Sequence, residues 1–260
     1  MPKYGYLVVE GPHDIELVYR LLSPFGFERV QFEARLDPFL NPLIPRSYPP
    51  DGDLLKRMPV PLFLQSPTHA VAVHSAIGDS RLIQTVEENA VLLDRATITG
   101  IGVLLDSDSA LAPHDRYRVI REGLRGKGYT LPDSAGDVNV GPPRLGCFVL
   151  PDNLTSGTLE NVLLTCAQHV YPALLASATT HIDAAFTDTN LSTDDLRELR
   201  KPAGRNKAII GSIASVLRPG RAVQVSLQDN RWLREETLTL PGVQAIQRFL
   251  MSLLDLPSAV

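Results

Sequence analysis

Acidic residues stand at three places where a short apolar run stops. Glu10 follows Tyr6-Leu7-Val8-Val9 and precedes Gly11-Pro12. Asp106 follows Gly102-Val103-Leu104-Leu105 and is itself followed by Ser107 and Asp108, and Asp152 follows Leu150-Pro151. Two carboxylates two residues apart in extended backbone can both address one cation, and ligation by oxygen alone selects Mg²⁺ or Mn²⁺ over zinc. A single Asp at such a position also serves as a helix cap or turn former. Glu favours neither role, which sets Glu10 apart.

The other reactive side chains form weaker patterns. Six histidines show no ligand spacing, although His13 lies close to Glu10. Cys147 and Cys166 make no C-x-x-C pair and read as small buried hydrophobes in a reducing compartment. Arg118, Arg121 and Arg125 fall on one face of a helix, with Arg116 and Lys127 nearby. That face is either a strip for phosphates or a solvated surface. Trp232 and the tyrosines do not interleave with basic residues, so stacking on single-stranded nucleic acid is not indicated.

These acids can act together only if the fold brings them to one place. Tyr4–Val9, Ala70–His74, Gly100–Leu105 and Gly146–Leu150 read as strands, several of them apolar on both faces, as in a parallel sheet covered on each side. Helical patterns follow them: one after Pro12, then Asp79–Leu93, Asp115–Gly123, and a run from Ser156 past Val170. Repeated strand-then-helix units imply an α/β sheet with right-handed crossovers. In such sheets ligands bind outside the carboxyl ends of the strands, so the three acidic positions are expected along one edge. The segment 37–67 holds 8 of the chain's 21 prolines and reads as an insertion without regular helix or central strand. Residues 1–170 form the expected α/β domain. Residues 171–260 form a mainly helical extension packed on it, with helices at Thr193–Arg200, Lys207–Leu217 and Val243–Leu254 and a short apolar stretch at Val223–Leu227.

Composition sets the outer bounds. The 260 residues carry 25 Lys+Arg against 29 Asp+Glu, a net charge of −4, and a mean hydropathy of 0.00. This is the balance of a folded globule, without the whole-molecule basic field that holds nucleic acid by bulk charge. No apolar run approaches the ~20 residues that span a bilayer, and the N-terminus lacks a secretion signal, so a cytoplasmic location is expected.

The pairing of Val8-Val9-Glu10-Gly11 with Leu104-Leu105-Asp106-Ser107-Asp108 resembles the Toprim domain, which is shared by topoisomerases, bacterial primases, OLD-family nucleases and ribonuclease-M5-like maturases. The likeness covers residues 4–165. It implies a Rossmann-like parallel sheet flanked by helices, with Glu10 in proton transfer or metal binding and Asp106 and Asp108 holding Mg²⁺ or Mn²⁺. The OLD branch has further acids and a lysine, matched here by Asp14, by Glu160 in Gly157-Thr158-Leu159-Glu160, and by Lys207 in Arg205-Asn206-Lys207-Ala208. The resemblance then implies a second metal site and a lysine that neutralises a phosphate oxygen. Arg205, in a basic cluster beside Lys207, would position a nucleic-acid backbone. The whole chain is most similar to small stand-alone Toprim-related bacterial proteins of unassigned function.

Departures narrow the expectation. No G-x-x-x-x-G-K-[ST] motif is present, so the ATPase that accompanies OLD nucleases would have to be a separate partner. The expected function is metal-dependent phosphodiester hydrolysis by a nuclease acting on DNA or RNA, in nucleic-acid processing or phage defence. One alternative is a non-catalytic Toprim binding or regulatory module. Another is a phosphatase of the haloacid-dehalogenase type, which Asp106-Ser107-Asp108 also resembles, but that family places this strand first and leaves Glu10 unexplained.

Overall fold

The computed structural model describes residues 2–47, 52, 54, 60–107 and 111–257. Six strands form one sheet in the order β2-β3-β4-β1-β5-β6, with β1 at Lys3–Val9, β2 at Glu28–Arg29, β3 at Leu62–Gln65, β4 at His69–Ser75, β5 at Ile98–Asp106 and β6 at Arg144–Leu150. The four strands β4, β1, β5 and β6 run parallel; β3 and β2 are antiparallel additions at one side. Helices α1 (Pro12–Leu22), α2 (Leu82–Ala90), α3 (Pro113–Arg125) and α4 (Leu159–Val170) follow β1, β4, β5 and β6 in turn. The fold is α/β, mostly parallel, with a helical C-terminal part.

Side-chain alternation divides the strands between two cores. Leu7, Val9, Val71, Val73, Leu104, Phe148 and Leu150 face one layer, which contains α1 and α4. The same layer holds the C-terminal helices α5 (Pro172–Ala185), α6 (Gly204–Leu217), α7 (Val223–Gln228) and α9 (Pro241–Leu254). Tyr6, Val8, Ala72, Val103, Leu105 and Val149 face the other layer, which contains α2 and α3. The short α8 lies at Glu235–Leu238.

Three glycines set how closely α9 approaches the sheet. A Cβ on Gly5, Gly100 or Gly102 would come within 2.3 Å of Leu254 or Leu253. At Gly100 the obstructing atom is the Leu253 backbone carbonyl oxygen, which cannot rotate away. The end of α9 is tied to the start of β1 by Lys3 Nζ, 2.5 Å from Asp255 Oδ2, and to the start of β6 by Arg144, which pairs with the same Asp255.

Several local expectations change. The proline-rich segment is part of the fold: it supplies β3, a 3-10 helix at Pro38–Leu43, and the buried side chains of Leu40 and Leu43, while Phe39 stacks on Tyr4 at 4.1 Å. Proline forbids the α-helical ladder but not a 3-10 turn or a four-residue strand between prolines. Residues 193–200 are turns, not a helix: Ser192 and Asp195 cap each other reciprocally, but only Leu196 of the stretch is buried to hold a helix against the core. Val223–Gln228 is a helix, and the single long helix expected from Ser156 onward is two, α4 and α5, broken at Tyr171-Pro172.

Candidate metal centre at the carboxyl edge of the sheet

Register brings the acids to one edge. Val9 of β1 pairs with Leu104 of β5, so Glu10, one residue past its strand, lies beside the Leu105-Asp106 end of its neighbour. The end of β1 is fastened to that of β4: Ala76 N–H donates to the Val9 carbonyl at 2.8 Å. The Glu10 carbonyl accepts from Gly78 N–H at 3.0 Å and Ser75 Oγ at 3.2 Å. The chain then turns at once into α1, where Gly11 is the N-cap and Pro12 opens the first turn. Asp14, three residues into that turn, reaches back to accept the Gly11 N–H at 2.8 Å. This is the reach-back half of a capping box, and it fixes the carboxylate at the mouth of α1.

The β5 end is held as firmly. Asp106 Oδ1 accepts the Leu159 N–H at 2.8 Å, at the start of α4. Ser107 is buried, and its Oγ accepts from Gly157 N–H at 2.7 Å and donates to the Gly157 carbonyl at 3.1 Å. The hydroxyl therefore locks the strand tip to the loop that launches α4, a role for the middle residue of Asp-x-Asp that spacing alone does not reveal. Glu160, in the first turn of α4, is 6% exposed, and its Oε2 is buried without a hydrogen-bond partner.

Glu10, Asp14, Asp106 and Glu160 thus form one electrostatic group. Burial pushes the Asp14 carboxyl up to about 7; the Gly11 N–H opposes the shift and the charges of Glu10 and Glu160 add to it. Burial likewise raises Asp106 well above the carboxylate range, reinforced by Asp14, Glu10 and Glu160 and opposed by the Leu159 N–H. The positive ends of α1 and α4 offset part of this repulsion. His13 lies at the margin: burial lowers its pKa, with Glu160 raising and Lys207 lowering it. Among the described residues no three acidic, His or Cys side chains are already drawn up as a cage for one ion.

Arg116 supplies the cation in direct contact. Its Nη2 is 3.1 Å from Glu10 Oε1 and 3.2 Å from Asp79 Oδ2, and its Nε donates to the Asp106 carbonyl at 3.4 Å. Strand alternation explains the partner: Val9 faces the α1 layer, so Glu10 turns toward the layer that contains α3. Sequence reasoning placed Arg116 in a row of surface arginines and missed this contact. Its only signal was a position shortly after Asp-x-Asp in a following helix.

The remaining expected residues lie elsewhere. Asp108 falls outside the described residues. Asp152 does not join the acids; it caps its own turn, accepting from Leu154 N–H at 2.9 Å and Thr155 N–H at 2.7 Å. Lys207 is exposed on α6 and reaches the group only through its field on His13. Arg118 pairs with Asp115 at 2.9 Å and Arg121 with Asp133, while Arg125 is exposed at the far end of α3, about 14 Å along the helix from Arg116. The strip they form leads away from the acids. Arg205 directs Nε and Nη2 to Asp183 at 2.7 and 2.8 Å, tying α6 to α5.

A family model described as a protein of unknown function (DUF3226) matches residues 4–255. The chain belongs to the DUF3226 family. No curated protein matches it. A solved structure of a hypothetical protein from Pyrococcus horikoshii is similar at 15% identity, covering 98% of this DUF3226 chain and 96% of its own, with a TM-score of 0.49. Neither description states an activity.

Proposed function

We propose that this DUF3226 protein is a Mg²⁺- or Mn²⁺-dependent phosphodiesterase of Toprim type, a nuclease acting on DNA or RNA. The observation that carries the reading is the burial of Asp14 and Glu160 beside the half-buried Asp106 and Glu10, with Asp14 raised to about 7 and Glu160 Oε2 left without a partner. Buried carboxylates that repel one another are costly unless a cation joins them, and an all-oxygen set suits a hard divalent ion. The residues present therefore fit the metal the resemblance implies.

Glu10, Asp14, Asp106 and Glu160 would hold it, with Asp108 completing the Asp-x-Asp pair. A divalent ion in such a site lowers the pKa of bound water and neutralises charge on a phosphoryl group. The chain's own contribution is positioning. The Leu159 N–H fixes Asp106 through Oδ1, so that Oδ2 has no hydrogen bond among the described residues. Gly11 fixes Asp14 in the same way. Glu10 would accept a proton from the attacking water, and Lys207 would approach a phosphate from α6. The substrate is sought among nucleic acids because phosphodiesters supply the anionic oxygens this arrangement needs; Arg118, Arg121, Arg125 and Arg205 are assigned to its flanking backbone, and an ATPase partner in a separate chain extends the same reading.

One observation favours a non-catalytic module: Glu10 is engaged by Arg116. Incubation with plasmid, single-stranded DNA and structured RNA in Mg²⁺ or Mn²⁺ separates the readings. Cleavage that Glu10→Gln and Asp106→Ala both remove supports the nuclease. Metal binding without cleavage in any arm supports the module. Activity that survives Glu10→Gln but not Asp106→Asn, confined to phosphate monoesters, supports the phosphatase.

A further inference from the structure

Arg116 is the most enclosed arginine of the basic row on α3, its side chain 11% exposed, and it is the one that faces the acids. Its contacts divide into two kinds. The Nε bond to the Asp106 carbonyl pins the stem to the end of β5. The Nη2 atom is shared between Glu10, 15% exposed within the acidic group, and Asp79 at the solvent-facing mouth of that group, 51% exposed. Nη1 makes no hydrogen bond among the described residues. A guanidinium carries five donors in a fixed fork that matches the oxygens of a phosphate, so this one has unused donor capacity beside the acidic group.

Resting on the phosphodiesterase reading, we infer that Arg116 is the phosphate-binding arm of the site. With Glu10 engaged by a divalent cation, the guanidinium would be free of Glu10 and held at the mouth by Asp79. There it would donate to non-bridging oxygens of the nucleic-acid phosphodiester. Asp79 is a positioning residue, acting on substrate only through Arg116. The same arginine keeps Glu10 partnered when no cation is present, which limits the cost of a buried, uncompensated charge.

The test measures binding, not turnover. Mn²⁺ affinity is read by calorimetry on the protein alone, and affinity for short labelled DNA and RNA duplexes is read in Ca²⁺ over a range of salt. Arg116→Ala is expected to tighten Mn²⁺ binding, to weaken duplex binding about tenfold and to lower the salt slope by about 1. Asp79→Asn, at an exposed position, discriminates further. Removing a negative charge at the mouth would by itself tighten binding to a polyanion, whereas loss of the anchor for Arg116 weakens it. Weaker duplex binding by Asp79→Asn with unchanged Mn²⁺ affinity supports the inference even if Arg116→Ala does not fold. If the wild-type protein binds Mn²⁺ and Asp106→Ala abolishes that binding, but Asp79→Asn binds duplex as well as or better than wild type, the arm is overturned and the nuclease reading stands. If the wild-type protein shows no Asp106-dependent Mn²⁺ binding, both fall.

Discussion

Asp14 and Asp106 hold protons more tightly in the folded chain than in the unfolded one, where Asp titrates near ~3.9. Between about pH 4 and 7 the folded state therefore binds more protons, and stability falls as pH rises through that window. The sign is that of an acid with a raised folded pKa: its penalty is absent below the unfolded value and complete above the folded one. For Asp14 the penalty is at most about 4 kcal/mol, at ~1.36 kcal/mol per unit. Asp14→Asn should raise the melting temperature of the metal-free protein at pH 8 and flatten its pH dependence, with added Mn²⁺ stabilising the wild type more than the variant; thermal unfolding in chelator and in Mn²⁺ measures both. Ser107→Ala removes both side-chain bonds to Gly157, keeps the backbone one, leaves the Gly157 amide unsatisfied and should cost about 1–3 kcal/mol in urea unfolding, with a larger relative loss in any cleavage assay. The acids at strand ends were legible because each interrupts an apolar run. Asp14 and Glu160 came only through the likeness to OLD nucleases, since acids in first helical turns are commonplace. Arg116 was not legible, because its partner Glu10 lies 106 positions away and nothing local encodes the meeting.

At the scale of elements, close contact between α9 and the sheet rests on what three strand positions lack. Gly100→Ala sets a methyl against the Leu253 carbonyl, and the resulting displacement of α9 should cost about 1–3 kcal/mol, read as a lower urea midpoint with an unchanged slope. The parallel strands and their following helices were readable because burial on both faces leaves uniformly apolar runs. Residues 193–200 misled, since Asp-Asp-Leu-Arg-Glu-Leu-Arg has helical composition but only one buried side chain to hold a helix in place. The β3 strand was hidden for the opposite reason: four residues flanked by proline are too short to show alternation, and their pairing with β4 is decided by tertiary packing.

For the molecule as a whole, the C-terminal helices are not an appendage. Leu250, Leu253 and Leu254 of α9 share one core with Leu7 and Val9 of the first strand and with Trp232. Leu253→Ala is expected to cost about 2–5 kcal/mol and to shift Trp232 fluorescence and far-UV circular dichroism together. Separate transitions would instead mark residues 171–260 as a unit of their own. The same arrangement bears on how the chain folds. The strand that leads to Glu10 and the helix that packs on its neighbouring glycines are separated in sequence by nearly every other element of the fold. Bringing them together is a long-range closure of the kind that slows folding and invites chaperones. The sheet edge where the acids meet therefore rests on a core that is complete only once α9 has docked.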